Sequence, residues 1–247
     1  MPRPFAAASC FLLAFFAVAC ENALSKLQGR EEEVAWKRNV LATELKIHGA
    51  GQPEVARLHS FLDRAVATPG VVQAAVVDQL PGIPLPKRRN QSGLQLEGNP
   101  QGTSTFTYVV GVSSGYFATM EIQLIRGRLF SERDDSSSIP VAIVSESFAK
   151  ENWPGEDPLG KRLRLHGTEP WSTVVGVVRD EPVTEDKPQV YLPYGQHGLH
   201  DQHLYPFSWF LLARAAVEPK SVASALQRTV GTEFWSLGTW LKSRYQE

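Results

Sequence analysis

The sequence predicts an α+β fold: a split, ferredoxin-like βαβ/βαβ subdomain assembled from both ends of the chain and carrying an inserted β-rich subdomain. Three observations lead there. A strand–helix–strand pattern occupies residues 39–77, a second begins at residue 209, and the stretch between them consists of short strands broken by glycine and charged turns. One such unit alone leaves a sheet face uncovered, whereas two side by side make a four-stranded sheet with both helices on one face. The expected boundaries are 1–20 for a signal peptide or membrane anchor, 21–38 for a tether helix and 39–247 for the domain. Within it, 39–91 and 207–247 form the split α/β part and 92–206 the insertion.

The chain opens on MPRPFAAASCFLLAFFAVAC, where Arg3 is the only charge ahead of an apolar run from 5 to 20. That length suits a signal-peptide core and is slightly short for a spanning helix, which needs about 20 residues. Ala17, Val18 and Ala19 form a small-residue cleavage site, and Cys20 directly after them resembles a bacterial lipobox, which makes Cys20 a lipidation candidate. A lipid-attached, a cleaved and an anchored chain remain open alternatives, and all three are exported. Residues 21–38 are polar and helix-prone, with Glu31, Glu32 and Glu33 together, as befits a solvated tether.

Leu41, Thr43, Leu45 and Ile47 then alternate as a strand. Pro53 opens a helix whose Val55, Leu58, Leu62 and Ala65 share one face, Pro69-Gly70 stops it, and 71–77 is a second strand. The same grammar returns with a strand at 209–213, a helix opened by Pro219 bearing Val222, Ala225, Leu226 and Val230, and a strand at 234–237. In the middle, 105–110 reads as a strand and SSGYF as a turn into a short helix, where Ser113 or Ser114 can cap and Tyr116 and Phe117 pack. The turn GEDPLG is followed by a hairpin of 161–165 and 173–178, with Leu163 and Leu165 facing away from Arg162 and Arg164. Residues 81–93 and 197–206 read as exposed linkers.

Composition narrows the function. A net charge of −1, with both signs interspersed, gives no electrostatic case for nucleic acid. Cys10 and Cys20 both lie in the leader, so the body of the domain forms no disulfide. Gly155, Gly160 and Lys161 satisfy most of a phosphate-binding loop, yet Arg162 stands where the motif needs a hydroxyl for magnesium, and a strand pattern follows where it needs a helix; neither a nucleotide nor any other cofactor is expected. Gly111 to Gly115 matches GxSxG, and an exported serine hydrolase using Ser113 is the competing function, although the alternating βαβα pattern of that fold is missing. His197, His200, Asp201 and His203 are the one metal-like cluster; without a strand frame they read as solvated loop residues, and no metal site is expected. Asp134 and Asp135 read as turn residues that bond backbone amides. No catalytic residue is assigned. Trp153 and Tyr205 fall in loops and are the candidates for partner contact, since exposed aromatics dominate interfaces.

Taken in order, SSGYFATMEIQLIRGRLF, VAIVSESFAKENWPGEDPLGKRLRL, WSTVVGVVRD and VYLPY resemble the MacB-like periplasmic core domain of MacB/FtsX-type ABC transporter permeases, with acidobacterial duplicated orphan permeases the most similar variant. The resemblance is dense over 109–194 and thinner over 40–98 and 208–241. It implies a split α/β subdomain with an inserted β-rich one, and a non-catalytic role: contact or coupling with membrane or envelope proteins of an ABC transport system, in which a separate ATPase supplies energy. It implies localisation on the periplasmic side of the inner membrane, with attachment through the N-terminal segment or free secretion. The pattern's three further membrane helices and the ATPase motifs are missing, so the chain is expected to be a truncated permease or stand-alone module unable to transport alone, the remaining alternative being a non-functional fragment.

Overall fold

The computed structural model describes residues 39–45, 52–80, 92–98, 105–165, 170–181, 188–197, 209–217 and 219–230. Outside them lie Cys20, the 21–38 tether, most of both linkers, Tyr205, His200, Asp201, His203 and the strand expected at 234–237.

The two ends of the chain build one sheet. Strand β10 (Trp209–Ala215) lies between β1 (Val40–Leu45) and β2 (Val71–Val77), antiparallel to both, with Leu45 opposite Trp209 and Val77 opposite Phe210. Helices α1 (Gln52–Val66) and α5 (Pro219–Val230) cover one of its faces. Their apolar stripes, Leu58, Phe61 and Ala65 on α1 and Val222 and Leu226 on α5, meet Leu41, Leu45, Ala74, Val76, Trp209, Leu211 and Ala213 in one core. The split α+β arrangement read from the alternation is the one observed.

The middle of the chain is joined in a way that the sequence did not suggest. Strands β3 (Ser92–Leu96), β4 (Thr105–Val112), β6 (Val141–Ser145), β7 (Arg162–Leu165), β8 (Ser172–Val178) and β9 (Gln189–Pro193) pair in the order β4–β3–β7–β8–β6–β9, and β9 returns to β4. The result is a closed circuit of six strands. Two of its pairings, β4–β9 and β6–β8, are parallel and cannot be made by hairpins. One set of side chains faces inward from every part of the ring: Leu94, Val109, Ala142, Val144, Leu163, Val174, Val177, Val190 and Leu192, joined by Phe148, Ala149 and Trp153. The alternate set, including Val110, Val112, Val141, Ile143, Val178 and Tyr191, faces outward under helix α2 (Tyr116–Met120) and the uncovered face of the end sheet, through Ala75, Val77 and Leu212. Burial on both faces explains why β6 and β9 are apolar at nearly every position.

Strand β5 (Leu124–Gly127) adds to β8 with Gly127 opposite Gly176. A Cβ on Gly127 would lie 2.2 Å from the Val175 carbonyl oxygen, and one on Gly176 would lie 2.3 Å from that of Arg128. Two backbones cross there at a distance that no side chain tolerates.

Two local expectations need correction. Trp153, expected in a loop as a contact residue, is a core side chain: it ends helix α3 (Glu146–Asn152), its amide bonds Ala149, and its ring is 8% exposed, edge-on to Phe148 with centroids 5.7 Å apart. The helix itself lies outside the predicted elements, although Ser145 caps it by accepting from the Phe148 amide and Glu146 pairs with Lys150 one turn on. Neither Ser113 nor Ser114 caps α2, whose N-cap is Gly115 without a side-chain bond. The Ser113 hydroxyl is committed to the sheet instead.

Candidate functional site

The end sheet and the strand circuit, packed together through Ala75, Val77 and Leu212, pair their strands at one narrow point. Only Val77 and Val112 pair between β2 and β4, flanked by main-chain bonds from the Asp78 amide to Gly111 and from the Ser113 amide to Val76. Ser113 strengthens this joint: its Oγ accepts from the Val76 amide at 3.0 Å, and the residue is 1% exposed. An elbow nucleophile has to face a substrate with an imidazole in reach. Ser113 is enclosed and its lone pair is already used. Next to it, the Ser114 hydroxyl bonds Glu132, whose other oxygen lies 3.5 Å from His59 Nε2. In that chain the carboxylate stands between serine and histidine, so the imidazole cannot take the serine proton. We expect Ser113→Ala to leave the buried Val76 amide unpaired and to cost about 1–3 kcal/mol in urea unfolding, with no esterase activity to lose.

Asp78 follows β2 at the same joint. Its Oδ1 is occluded and has no hydrogen-bond partner among the described residues. Oδ2 packs against Gly111 so closely that a Cβ there would lie 2.9 Å from it and 3.4 Å from the Trp209 ring. Burial pushes the Asp78 carboxyl up to about 7, against main-chain bonds that pull it down.

A fully buried carboxyl lies beyond α2. Glu181, 2% exposed, accepts from Tyr116 Oη at 2.6 Å and from Tyr191 Oη at 3.1 Å, and Tyr191 also meets Gln189 Oε1. The single Tyr191 proton is shared between Glu181 and Gln189 Oε1, while Gln189 bonds Glu181 as well. Burial pushes Glu181 up, outweighing the bonds from Tyr116, Tyr191 and Gln189. The same burial, together with Glu181 itself, holds both phenols well above their ordinary value. The network ties α2, β9 and the end of β8 together inside the outer core. Shut away from solvent, it acts as a structural clamp and offers no group to a substrate.

The remaining motif-like residues fall into structural roles. Asp134 feels burial upward, but the fork of Arg128, 2.8 Å to each oxygen, and the Ser131 amide bring it below its ordinary value. Asp135 accepts from the Ser137 amide. The GEDPLGK loop runs from α3 into strand β7, the reverse of the strand-to-helix frame that presents amides to a phosphate. Lys161 pairs with Glu156, and Arg162, at the magnesium-hydroxyl position, pairs with Glu97 at 2.9 Å. Arg162 and Arg164 flank Trp171, the latter 4.5 Å from the ring centroid. Among the described residues no three His, Cys, Asp or Glu side chains gather as metal ligands, and no helix is long and apolar enough to cross a membrane. His197 ends the short helix α4 (Tyr194–His197).

Sequence reasoning missed Asp78 and the Glu181 clamp. A carboxylate straight after the apolar strand 71–77 was the available signal for the first. For the second, the tyrosines lie 65 and 10 residues from Glu181 and only the fold brings them together.

Comparison with known proteins agrees with this architecture. Residues 47–229 match the MacB-like periplasmic core domain. The macrolide export ATP-binding/permease protein MacB of Aggregatibacter actinomycetemcomitans is 35% identical over 92 residues, 37% of this chain and 14% of that protein. MacB 2 of Aeromonas hydrophila is 34% identical over 89 residues, 35% of this chain and 13% of that protein. The matched segment thus spans about a seventh of these relatives. The crystal structure of the periplasmic region of MacB from Actinobacillus actinomycetemcomitans superposes with a TM-score of 0.54 over 80% of this chain and 86% of that one, at 18% identity, and so shares the fold. With the family match covering well over half of its residues, the chain belongs to the MacB-like periplasmic core domain family of ABC transporter permeases.

Proposed function

We propose that this chain is a non-catalytic extracytoplasmic module that contacts membrane or envelope proteins of an ABC transport system and couples their motions, while the energy-supplying step belongs to a separate ATPase. The observation that carries this reading is the family match together with the state of the chemistry-like groups among the described residues: the Ser113 hydroxyl is enclosed, Glu181 is buried, one Asp78 oxygen is occluded, and the glycine loop leads into a strand. A fold of this family with its polar groups committed to its own joints has its outer surface left for work on other proteins. The N-terminal segment directs export and leaves the module lipid-attached at Cys20, held by an uncut anchor, or free after cleavage. Metabolic palmitate labelling that disappears in Cys20→Ala identifies the lipid-attached form, and an unlabelled chain that retains Met1 identifies the anchor.

With Trp153 in the core, Tyr205 remains the aromatic contact candidate. Photo-crosslinking in cells from a reactive amino acid at position 205 is expected to give an adduct with a permease or ATPase of an ABC system. Tyr205→Ala is expected to weaken that partner by about 30-fold, the equivalent of ~2 kcal/mol at a hot spot, with an unchanged melting temperature. No adduct, or a lower melting temperature with unchanged partner binding, would remove Tyr205 from the interface.

A further inference from the structure

We propose that the pole of the end sheet at which the chain enters the domain is a lipid-facing cap, seated on the surface of the bilayer. The inference deepens the extracytoplasmic reading above and rests on it. Attachment of the chain and seating of the cap are separate observables, so each can fail without the other.

The strand register brings three segments to this pole. Val40, the first residue of β1, lies opposite Arg214, and Ala215 lies opposite Val71 at the start of β2. Helix α1 ends there at Val66, and the turn from it into β2 is braced. The Ala67 amide bonds the Asp63 carbonyl, the Val71 amide bonds that of Thr68, and the Ala216 amide bonds that of Gly70 at 2.9 Å. Gly70, at a φ of 89°, is pressed so close to the start of α5 that a Cβ on it would lie 2.9 Å from Val222 and 3.5 Å from Val217. The pole is held firmly, and it is apolar. Val66, Val72 and Val217 are each about half exposed, and Ala67, Pro69 and Ala216 are exposed beside them. Neither 65–72 nor 215–217 contains a charged residue. The described residues that adjoin these stretches are Arg64, Gln73 and Arg214, and Arg214 holds the Glu121 carboxylate 3.3 Å away.

An exposed apolar patch rimmed by polar residues marks a contact with lipid or with another protein. The chain that leads to it decides for lipid. Residues 1–38 reach the domain at this pole, where β1 begins, and they carry the apolar run 5–20 with Cys20 at its end. Close ahead of β1 stand Trp36, Lys37 and Arg38, an indole and two cations of the kind that settle at headgroup level. A chain attached through the apolar run or through Cys20 keeps the cap near the bilayer at a high effective concentration. Contact then needs little area. The six exposed residues of the cap fall well short of the roughly 20–30 a side that a stable protein–protein interface uses.

The test places a diazirine-bearing amino acid at position 217, and in a second chain at the exposed position 151 on α3, in the full chain expressed in cells with its leader and Cys20 intact. After irradiation the membrane and soluble fractions are separated and the adducts are identified by mass. The expected result is a phospholipid adduct at 217 that phospholipase removes, and none at 151. Val66→Glu sets a charge in the cap and is expected to lower the adduct at 217 by about tenfold, the loss of one valine's burial, with an unchanged melting temperature. A chain in the membrane fraction with protein adducts only, or no adduct, at 217 overturns the cap and leaves attachment standing. A chain in the soluble fraction overturns both. Lipid adducts of equal yield at 217 and 151, or an adduct at 217 that Val66→Glu does not reduce, also overturn the proposal, because apolar contact at this pole would not be what meets the bilayer.

Discussion

Trp153→Ala is expected to be a severely damaging truncation, costing about 3–5 kcal/mol and lowering the melting temperature by roughly 10 °C. The indole packs in the core of the strand circuit, edge to face on Phe148 and in one cluster with Ala149 and Leu163. Removing it deletes the largest ring of that core and leaves a cavity that six hydrogen-bonded strands cannot collapse to fill. Urea unfolding followed by circular dichroism measures the loss directly. A change below about 1 kcal/mol would mean that the ring is not packed against Phe148 and would return Trp153 to the surface candidates.

Asp78→Asn is expected to act in the opposite direction, by an amount that grows as the pH rises from about 4 to 7. The folded carboxyl titrates at about 7 and the unfolded one at 3.8, so between these values the folded chain binds more protons than the unfolded chain. Stability from this group is thus fully present below about pH 4 and is lost as the pH rises to 7, by up to ~4 kcal/mol at about 1.4 kcal/mol per unit. Asparagine keeps the shape without the charge. The variant should match the wild type near pH 4, exceed it at pH 8 and flatten the slope between. Glu181, raised as well, contributes a residual slope of the same sign that Asp78→Asn leaves in place. Denaturant midpoints across pH 4–8 check this, and parallel curves for the two proteins would contradict it.

How much of the fold is legible in the sequence depends on the range of the interactions involved. Strand β1, helix α1 and strand β2 can be read because Leu41 and Leu45, the stripe Val55, Leu58, Leu62 and Ala65, and the Pro69-Gly70 stop are local patterns, each decided within one or two turns of chain; Phe61, buried on the same face, was not read. The union of the ends in one sheet also follows, since two half-covered units have one economical way to cover each other. The closed circuit does not. Its parallel closure pairs Val109 with Val190, 81 residues apart, and an all-apolar strand such as VAIVS shows that both faces are buried without saying what covers them. Trp153 was misplaced for a related reason: Pro154 and Gly155 mark the turn correctly, but a residue at a turn can still point its ring inward. The raised carboxyls were invisible because an Asp after a strand looks like any other turn residue until its neighbours are known.

Display of this domain on the extracytoplasmic face, where it works by contact, is tested most directly by protease accessibility in spheroplasts, using the chain at its native expression level with a C-terminal epitope. The expected result is that added protease removes the epitope from intact spheroplasts while a cytoplasmic marker survives, and that the chain stays with the membrane fraction until its N-terminal segment is cut or delipidated. A chain protected until the spheroplasts are lysed would contradict extracytoplasmic display.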